Sequence, residues 1–238
     1  QVVTAFDTHP DAGKVQYRLA EVDTHGTPTG GHKPPLDRHM PSGDLRAHLR
    51  RHHGYWWPHA SGNCYRSDVL RRMMPMPEAP FRIGADAWPA YNAVMLAPLV
   101  SIDEVGGLLR IHGGNLYNQR GPAGLVERVR RQLATDCEMH VAVAGFAAEV
   151  GFDGYPREPH QVRQVGFLAR RTISWRLDRP HHPISPDGRL AITVAGITSA
   201  LRQPRLPWRK RFKLALWFAA LSVAPQALCR RLAPKLVA

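Results

Sequence analysis

Apolar and polar residues alternate near the N terminus of this chain and recur at helical spacing further along it. Over 14–22, apolar Val, Tyr and Leu are separated by polar neighbours, and this pattern predicts a half-buried strand. Residues 1–6 suit the last turns of a helix. A tight turn is predicted at 23–26, because Asp accepts turn geometry and Gly supplies a positive φ. The dense Gly and Pro residues of 26–43 predict a loop.

Between 44 and 112 the pattern changes from helical to extended. The predicted elements are helices over 44–51, 68–74 and 85–96, and short strands over 99–102 and 108–111 separated by a turn. Ser42 is the expected cap of the first helix, and Pro75 ends the second. The last strand delivers His112 at its end.

The chain becomes helical after residue 118. Apolar residues with arginines between them predict an amphipathic helix of about seven turns, or two shorter ones, that ends at Gly151 or Gly154. A basic helix over 162–177, a loop over 178–188 and a helix over 189–201 are predicted to follow.

The tail, 206–238, has a short apolar run, 214–224, between two basic groups. A spanning helix needs about 20 apolar residues, so this run is too short to cross a bilayer unaided. Its basic flanks, with a Trp and a Phe in the segment, predict that it lies in the membrane interface. The alternative is a final helix packed on its own domain.

Composition limits the choices further. A formal charge of +13 and a pI of about 10.5 favour an anionic partner, which could be nucleic acid, an anionic membrane surface or a phosphorylated substrate. Three distant cysteines give neither a disulfide framework nor a zinc motif, so a reducing compartment is expected. The histidines at 48, 52, 53 and 59 are interpreted as part of a solvated basic face. The absence of an initial Met suggests that the native start lies upstream.

Three polar groups lie where predicted elements begin or end. They are Ser61-Gly62-Asn63, Gly84-Ala85-Asp86 and the segment 110–115, whose sequence is RIHGGN. With the S-G-N-x-x-R-x-x-V-L pattern of 61–70 and the P-x-P turn of 75–77, they resemble the second half of a family 2 glycosyltransferase catalytic domain. The resemblance covers about the first half of the chain.

This resemblance implies a fold and a division of the chain. The expected fold class is α/β, a partial GT-A-like catalytic domain representing its acceptor-side half, followed by an α-helical C-terminal region. The expected parts are the GT-A-like half over 1–120, a helical extension over 121–205 and a basic amphipathic, membrane-interfacial tail over 206–238.

The activity implied is inverting transfer of a sugar from a nucleotide-sugar donor to a glycan or lipid-linked acceptor, in cell-envelope polysaccharide synthesis. The enzyme is expected in the cytoplasm, peripheral at the inner face of the plasma membrane. Because no D-x-D precedes the acceptor segment, the donor-binding half is expected outside this chain, and the chain alone is expected to be inactive.

Asp86 is the candidate catalytic base, because a carboxylate at a helix start can take the proton of an acceptor hydroxyl. Simple helix capping is its structural alternative. Relatives often carry Glu-Asp here, whereas this chain has Ala85-Asp86.

The remaining candidates bind substrate or metal. His112 is the expected ligand of a divalent ion, Mg or Mn, whose main carboxylate ligands lie outside this chain. Arg110 suits the donor diphosphate, and backbone amides at Gly113 can approach it. The remaining substrate-binding candidates are Trp57, Ser61, Gly62, Asn63 and Asn115.

Two other functions remain open from sequence. The charge and the arginine-rich helices are compatible with a nucleic-acid-binding protein, although no motif of a nucleic-acid-binding fold is present. A non-catalytic glycosyltransferase remnant is the other.

Overall fold

The computed structural model describes residues 1–112, 124–203 and 206–233. The chain divides into two compact units. The first consists of Gln1–Arg50, Gly54–Gln119 and Gly145–Tyr155, and the second of Arg51–His53, Arg120–Ala144 and Pro156–Ala238. The predicted division at 120 and 205 stays a prediction.

Helices and strands follow one another along the described chain. In order they are α1 (Val2–Thr8), β1 (Lys14–Val22), β2 (Pro28–Lys33), α2 (Arg46–His52), β3 (Asn63–Tyr65), α3 (Ser67–Arg72), α4 (Ala87–Leu96), β4 (Leu99–Arg110), α5 (Leu125–Glu149), α6 (Val165–Leu177), α7 (Arg189–Leu201), α8 (Trp208–Val223) and α9 (Gln226–Leu232). The predictions for β1 and α7 are confirmed at both ends, and the long predicted helix is the single helix α5.

The first unit contains a mixed four-stranded sheet centred on β1. Strand β4 pairs parallel to β1 from Lys14↔Leu99 to Val22↔Arg110. The antiparallel strands β3 and β2 pair with the start and the end of β1, respectively. The α/β class is therefore confirmed.

Two predictions about strands are wrong. The predicted loop 26–43 contains β2, an edge strand, where Pro and Gly are tolerated because one side of the backbone needs no ladder partner. The predicted turn at 103–107 lies inside one twelve-residue strand, β4. Register shifts opposite Arg18 absorb the extra residues, and a side chain at Gly106 would overlap the ring of Tyr17.

The predicted helix cap at Ser42 is also wrong. The carboxylate of Asp44 accepts from the backbone N–H of Arg46 at 2.8 Å, where α2 begins. The hydroxyl of Ser42 instead accepts from the backbone N–H of Ser101 at 3.0 Å and so joins this loop to β4.

Strand β1 is buried along both faces, not on one as predicted. Lys14, Gln16 and Arg18 alternate with the apolar residues, on the face that the pattern predicts to be exposed, and all three are buried. The side-chain nitrogens of all three donate hydrogen bonds inside the first unit, which offsets the cost of burying them, whereas the side-chain oxygen of Gln16 has no partner among the residues that the structure describes. The Arg18 guanidinium, for example, donates to the carbonyls of Pro34, Pro35 and Arg38 and to Asp103.

The second unit is helical. Helix α6 packs against α7, α8 and α9, and the ring of Phe218 on α8 fills the space left by Gly196 on α7. Apolar side chains from α6, α7 and α8 form one buried cluster, consisting of Leu168, Ala169, Ala195, Ala200, Ala215 and Phe218. Within the described parts of the chain, no helix combines the length and apolar character needed to cross a bilayer.

Candidate functional site

Asp86 immediately precedes α4 and is partly buried, but its side chain does not cap the helix. The backbone carbonyl of Asp86 accepts from the N–H of Ala90 at 3.1 Å, so the helix begins normally without the carboxylate. Capping, the structural alternative for this residue, therefore does not account for it.

A buried lysine lies beneath the first turns of α4. The Lys14 ammonium donates to the hydroxyl of Tyr55 at 2.8 Å, and that hydroxyl donates to the carbonyl of Ala90 at 2.7 Å. This chain of hydrogen bonds fastens α4 to the start of β1. Burial lowers the pKa of Lys14 well below its ordinary value, and the carboxylate of Asp86 opposes part of that shift.

Two further side chains respond to the charge of Asp86. Burial raises the pKa of Tyr65, and the Asp86 carboxylate raises it further. The pKa of His59 is lowered, mainly by loss of surrounding water. The negative charges of Asp86 and Glu21 oppose this shift, and the positive charge of Lys33 adds to it. The charge of Asp86 thus acts on three side chains, those of Lys14, Tyr65 and His59.

The two other charged groups that act on His59, Lys33 and Glu21, lie on β2 and β1. Lys33 and Glu21 form an ion pair at 3.0 Å, and Glu21 lies opposite Leu109 in the β1–β4 register, one residue before Arg110. The charged groups therefore extend from the start of α4 toward the segment in which β4 ends. Sequence reasoning missed Lys14 and Tyr65, because no local pattern distinguishes them. Of the histidines predicted on a solvated basic face, His59 is exposed, whereas His52 is buried and that part of the prediction is wrong.

Hydrogen bonds to the end of β1 and to the turn after it hold the end of β4 in place. The backbone N–H of Ile111 donates to the carbonyl of Val22 at 2.7 Å, and the guanidinium of Arg110 donates to the carbonyl of Thr24 at 2.6 Å. His112 follows and is exposed. A cavity shared by Asp86 and His112 stays a prediction. The candidates Gly113 and Asn115 lie outside the described residues.

Trp57 packs inside the first unit. It is partly buried, and its ring lies 5.3 Å from that of Tyr55 and 5.0 Å, edge-on, from that of Tyr91. The neighbouring Trp56 is exposed, with the guanidinium of Arg38 4.1 Å from its ring centroid. Of the two indole rings, that of Trp56 therefore presents the larger surface to solvent.

Ser61, Gly62 and Asn63 build the loop that carries His59. The side-chain amide of Asn63 donates to the carbonyls of Pro58 at 3.1 Å and His59 at 2.9 Å. A side chain at Gly62 would lie 2.7 Å from Pro58 Cβ. The carbonyl of Ser61 accepts from the hydroxyl of Tyr17 at 2.7 Å. These contacts position the loop, and direct contact with substrate stays a prediction for all three residues.

The described residues do not form a metal site by themselves. Within 1–112, 124–203 and 206–233, no group of three or more His, Cys, Asp or Glu side chains could hold an ion. One imidazole, such as that of His112, does not satisfy a divalent ion.

Comparison with known proteins supports one broad class, glycosyltransferase. The chain is 22% identical over 196 residues to an uncharacterized glycosyltransferase of Nostoc sp.. The alignment covers 74% of this chain and 58% of that protein, so the chain spans less than two thirds of its relative. No family profile matches the sequence. No solved structure matches it either.

Proposed function

We propose that this chain contributes the acceptor-side part of an inverting, family 2-like glycosyltransferase with GT-A-type organisation. It would move a sugar from a nucleotide-sugar to a glycan or lipid-linked acceptor, in cell-envelope polysaccharide synthesis. Support comes from the glycosyltransferase relative, from the α/β sheet and from the charged groups around Asp86.

The observation that carries the proposal is the carboxylate of Asp86. It stands at the start of α4 without capping it, and its charge acts on Lys14, His59 and Tyr65. A partly enclosed carboxylate that does not cap its helix and whose charge acts on titratable groups is a good candidate for proton transfer.

In the proposed reaction, the acceptor hydroxyl oxygen attacks the anomeric carbon of the donor as the bond from that carbon to the diphosphate oxygen breaks. The hydroxyl proton passes to Asp86, and the nucleoside diphosphate leaves with the bonding electron pair, which inverts the anomeric centre. Positive charge from Arg110 stabilises the leaving group.

The other predicted residues keep their proposed roles. The backbone amide of Gly113 would approach the diphosphate, and Asn115 would orient its loop or the acceptor. The substrate-binding roles of Trp57, Ser61, Gly62 and Asn63 are proposed for the loop beside His59. If a divalent ion takes part, His112 would supply one ligand and the remaining ligands would come from outside the described residues.

Replacing Asp86 by Asn tests the proposal, because the amide keeps the shape of the side chain and cannot accept the proton. The full-length product of the gene is incubated with UDP-, GDP- and dTDP-sugars and a membrane glycan extract, and the released nucleoside diphosphate is measured. We expect Asp86→Asn to lower turnover by about 10²- to 10⁴-fold.

The matched control is Asp68→Asn. Asp68 is also an acidic residue at a helix start, in the first turn of α3, and it is exposed. Turnover of this variant should equal that of the wild type. Equal turnover of Asp86→Asn and wild type would instead rule out Asp86 as the base, which is the result that a non-catalytic remnant predicts.

A further inference from the structure

Helix α8 exposes an apolar stripe to solvent. Its members are Trp208, Phe212, Leu216 and Val223, with 71%, 54%, 53% and 79% of their surfaces exposed. Their spacings of four, four and seven residues place all of them on one helical face, because each residue turns the helix by about 100°. A continuous exposed stripe with two aromatic rings needs an explanation that single exposed residues do not.

The opposite face of α8 is fastened to the second unit. Phe218 and Leu221 are buried there in two apolar clusters formed with α6, α7 and α9. The indole N–H of Trp217 donates to the carbonyl of Leu232 at 3.1 Å, and the guanidinium of Arg176 donates to that of Leu221 at 2.8 Å. The stripe therefore cannot turn inward without breaking these contacts. The two alternatives for the tail are compatible: the helix is packed and still presents an apolar face.

The charge around the stripe has one sign. Every charged side chain after Asp187 is Arg or Lys, and the first two turns of α8 carry Arg209, Lys210, Arg211 and Lys213. Each basic residue near an anionic lipid surface contributes about 1 kcal/mol of attraction. Trp, Phe and Leu side chains favour the boundary between headgroups and acyl chains.

These features distinguish between possible occupants. A second copy of the chain would bring two groups of like charges together, which is unfavourable. Nucleic acid would use the positive charge, but the two aliphatic members of the stripe, Leu216 and Val223, would have no role in binding it. An anionic bilayer matches both the charge and the stripe.

We propose that α8 docks the second unit on an anionic membrane surface, with its axis along the surface and the stripe of Trp208, Phe212, Leu216 and Val223 inserted at the headgroup boundary. The sixteen-residue helix, about 24 Å long, lies on the bilayer and does not span it. This proposal does not depend on the proposed sugar transfer, and it gives the expected peripheral location a physical basis.

Binding to lipid vesicles tests the proposal. The full-length protein is sedimented with vesicles of phosphatidylcholine and with vesicles of equal parts phosphatidylcholine and phosphatidylglycerol. We expect strong binding only to the anionic vesicles, weakened by added salt. Leu216→Glu should lower the partition coefficient by at least about tenfold, since it removes an inserted side chain and adds repulsion.

The matched control is Val141→Glu. Val141 lies on α5 with 56% of its surface exposed, close to the value for Leu216. Both substitutions also change the net charge by the same amount. Val141→Glu should bind within about twofold of wild type. Circular dichroism checks that both variants fold, and Phe212→Ser provides an independent change in the stripe that adds no charge.

Depth of insertion is measured with vesicles that contain brominated lipid, which quenches nearby tryptophan. Trp208→Phe should still bind but lose a large part of the quenching, since Trp208 is the tryptophan on the stripe. Equal binding of Leu216→Glu and Val141→Glu would overturn the proposal. So would duplex DNA binding without vesicle binding, or a dimer that Leu216→Glu dissociates.

Discussion

At the residue scale, the second unit contains a buried network of charged and polar groups. The carboxylate of Asp187 accepts from the guanidinium of Arg171 at 2.8 Å and from the imidazole of His182 at 2.9 Å, and the other ring nitrogen of His182 lies 3.0 Å from the hydroxyl of Ser174. Burial alone would raise the pKa of Asp187, but the hydrogen bonds and charges of its partners more than offset this and lower it. The carboxylate is therefore ionised at neutral pH.

Asp187→Asn should destabilise the protein by about 3–5 kcal/mol, because it leaves the buried guanidinium of Arg171 without its counter-charge. The measurement is the free energy of unfolding in urea. Asp44→Asn is the control, since Asp44 forms an exposed ion pair with Arg46 at 2.6 Å. That change should cost less than about 1 kcal/mol. Similar losses in the two variants would contradict the role assigned to burial.

His140 makes the stability of the second unit depend on pH. Burial lowers the pKa of His140 to about 4, a backbone hydrogen bond with Pro156 opposes the shift, and His53 adds to it. Because the folded pKa lies below the unfolded value of about 6.5, the unfolded chain binds the proton first as the pH falls. The stability that this histidine contributes above pH 6.5 is therefore lost progressively toward pH 4.

Between pH 7 and pH 5, this difference in pKa corresponds to about 2 kcal/mol of lost stability. His140→Gln does not titrate in this range, so its free energy of unfolding should fall by about 2 kcal/mol less than that of wild type over the same interval. Urea titrations at the two pH values measure both. Equal pH dependence of the two proteins would contradict the prediction.

At the scale of elements, α7 and α8 pack through a glycine. A side chain at Gly196 would overlap the ring of Phe218, which is fully buried and cannot move aside. Gly196→Ala should therefore destabilise the protein by about 1–3 kcal/mol. Gly145, on α5, has no atom within 4 Å of an added Cβ, and Gly145→Ala should stabilise by up to about 1 kcal/mol. Stabilisation of both variants would show that helix propensity, not packing, decides at Gly196.

At the scale of the whole molecule, positive charge and apolar surface are distributed differently. The net charge of +13 belongs to the whole chain, whereas the apolar stripe of α8 belongs to the second unit. Charge alone left nucleic acid, membrane and phosphorylated substrate open. Combined with the stripe, it favours a membrane for the second unit, while the first unit carries the candidate site around Asp86.

The sequence by itself determined the elements whose periodicity is local. The predicted bounds of β1 and α7 match the structure, because the residues of each segment alone carry its hydrophobic periodicity. The candidate Asp86 was also found from sequence, through a motif at a helix start. The prediction that it is a base rests on resemblance, and the structure adds that the carboxylate is not used as a cap.

Only the tertiary structure decided which distant groups share an environment. In the folded chain, buried Lys14 donates to Tyr55, the charges of Asp86 and Glu21 both act on His59, and the glycine-containing strand β2 pairs with β1. It also left one face of α8 exposed while burying the other. The physical reason is that burial and electrostatic neighbourhood depend on segments far apart in the chain, whereas propensity and periodicity depend only on adjacent residues.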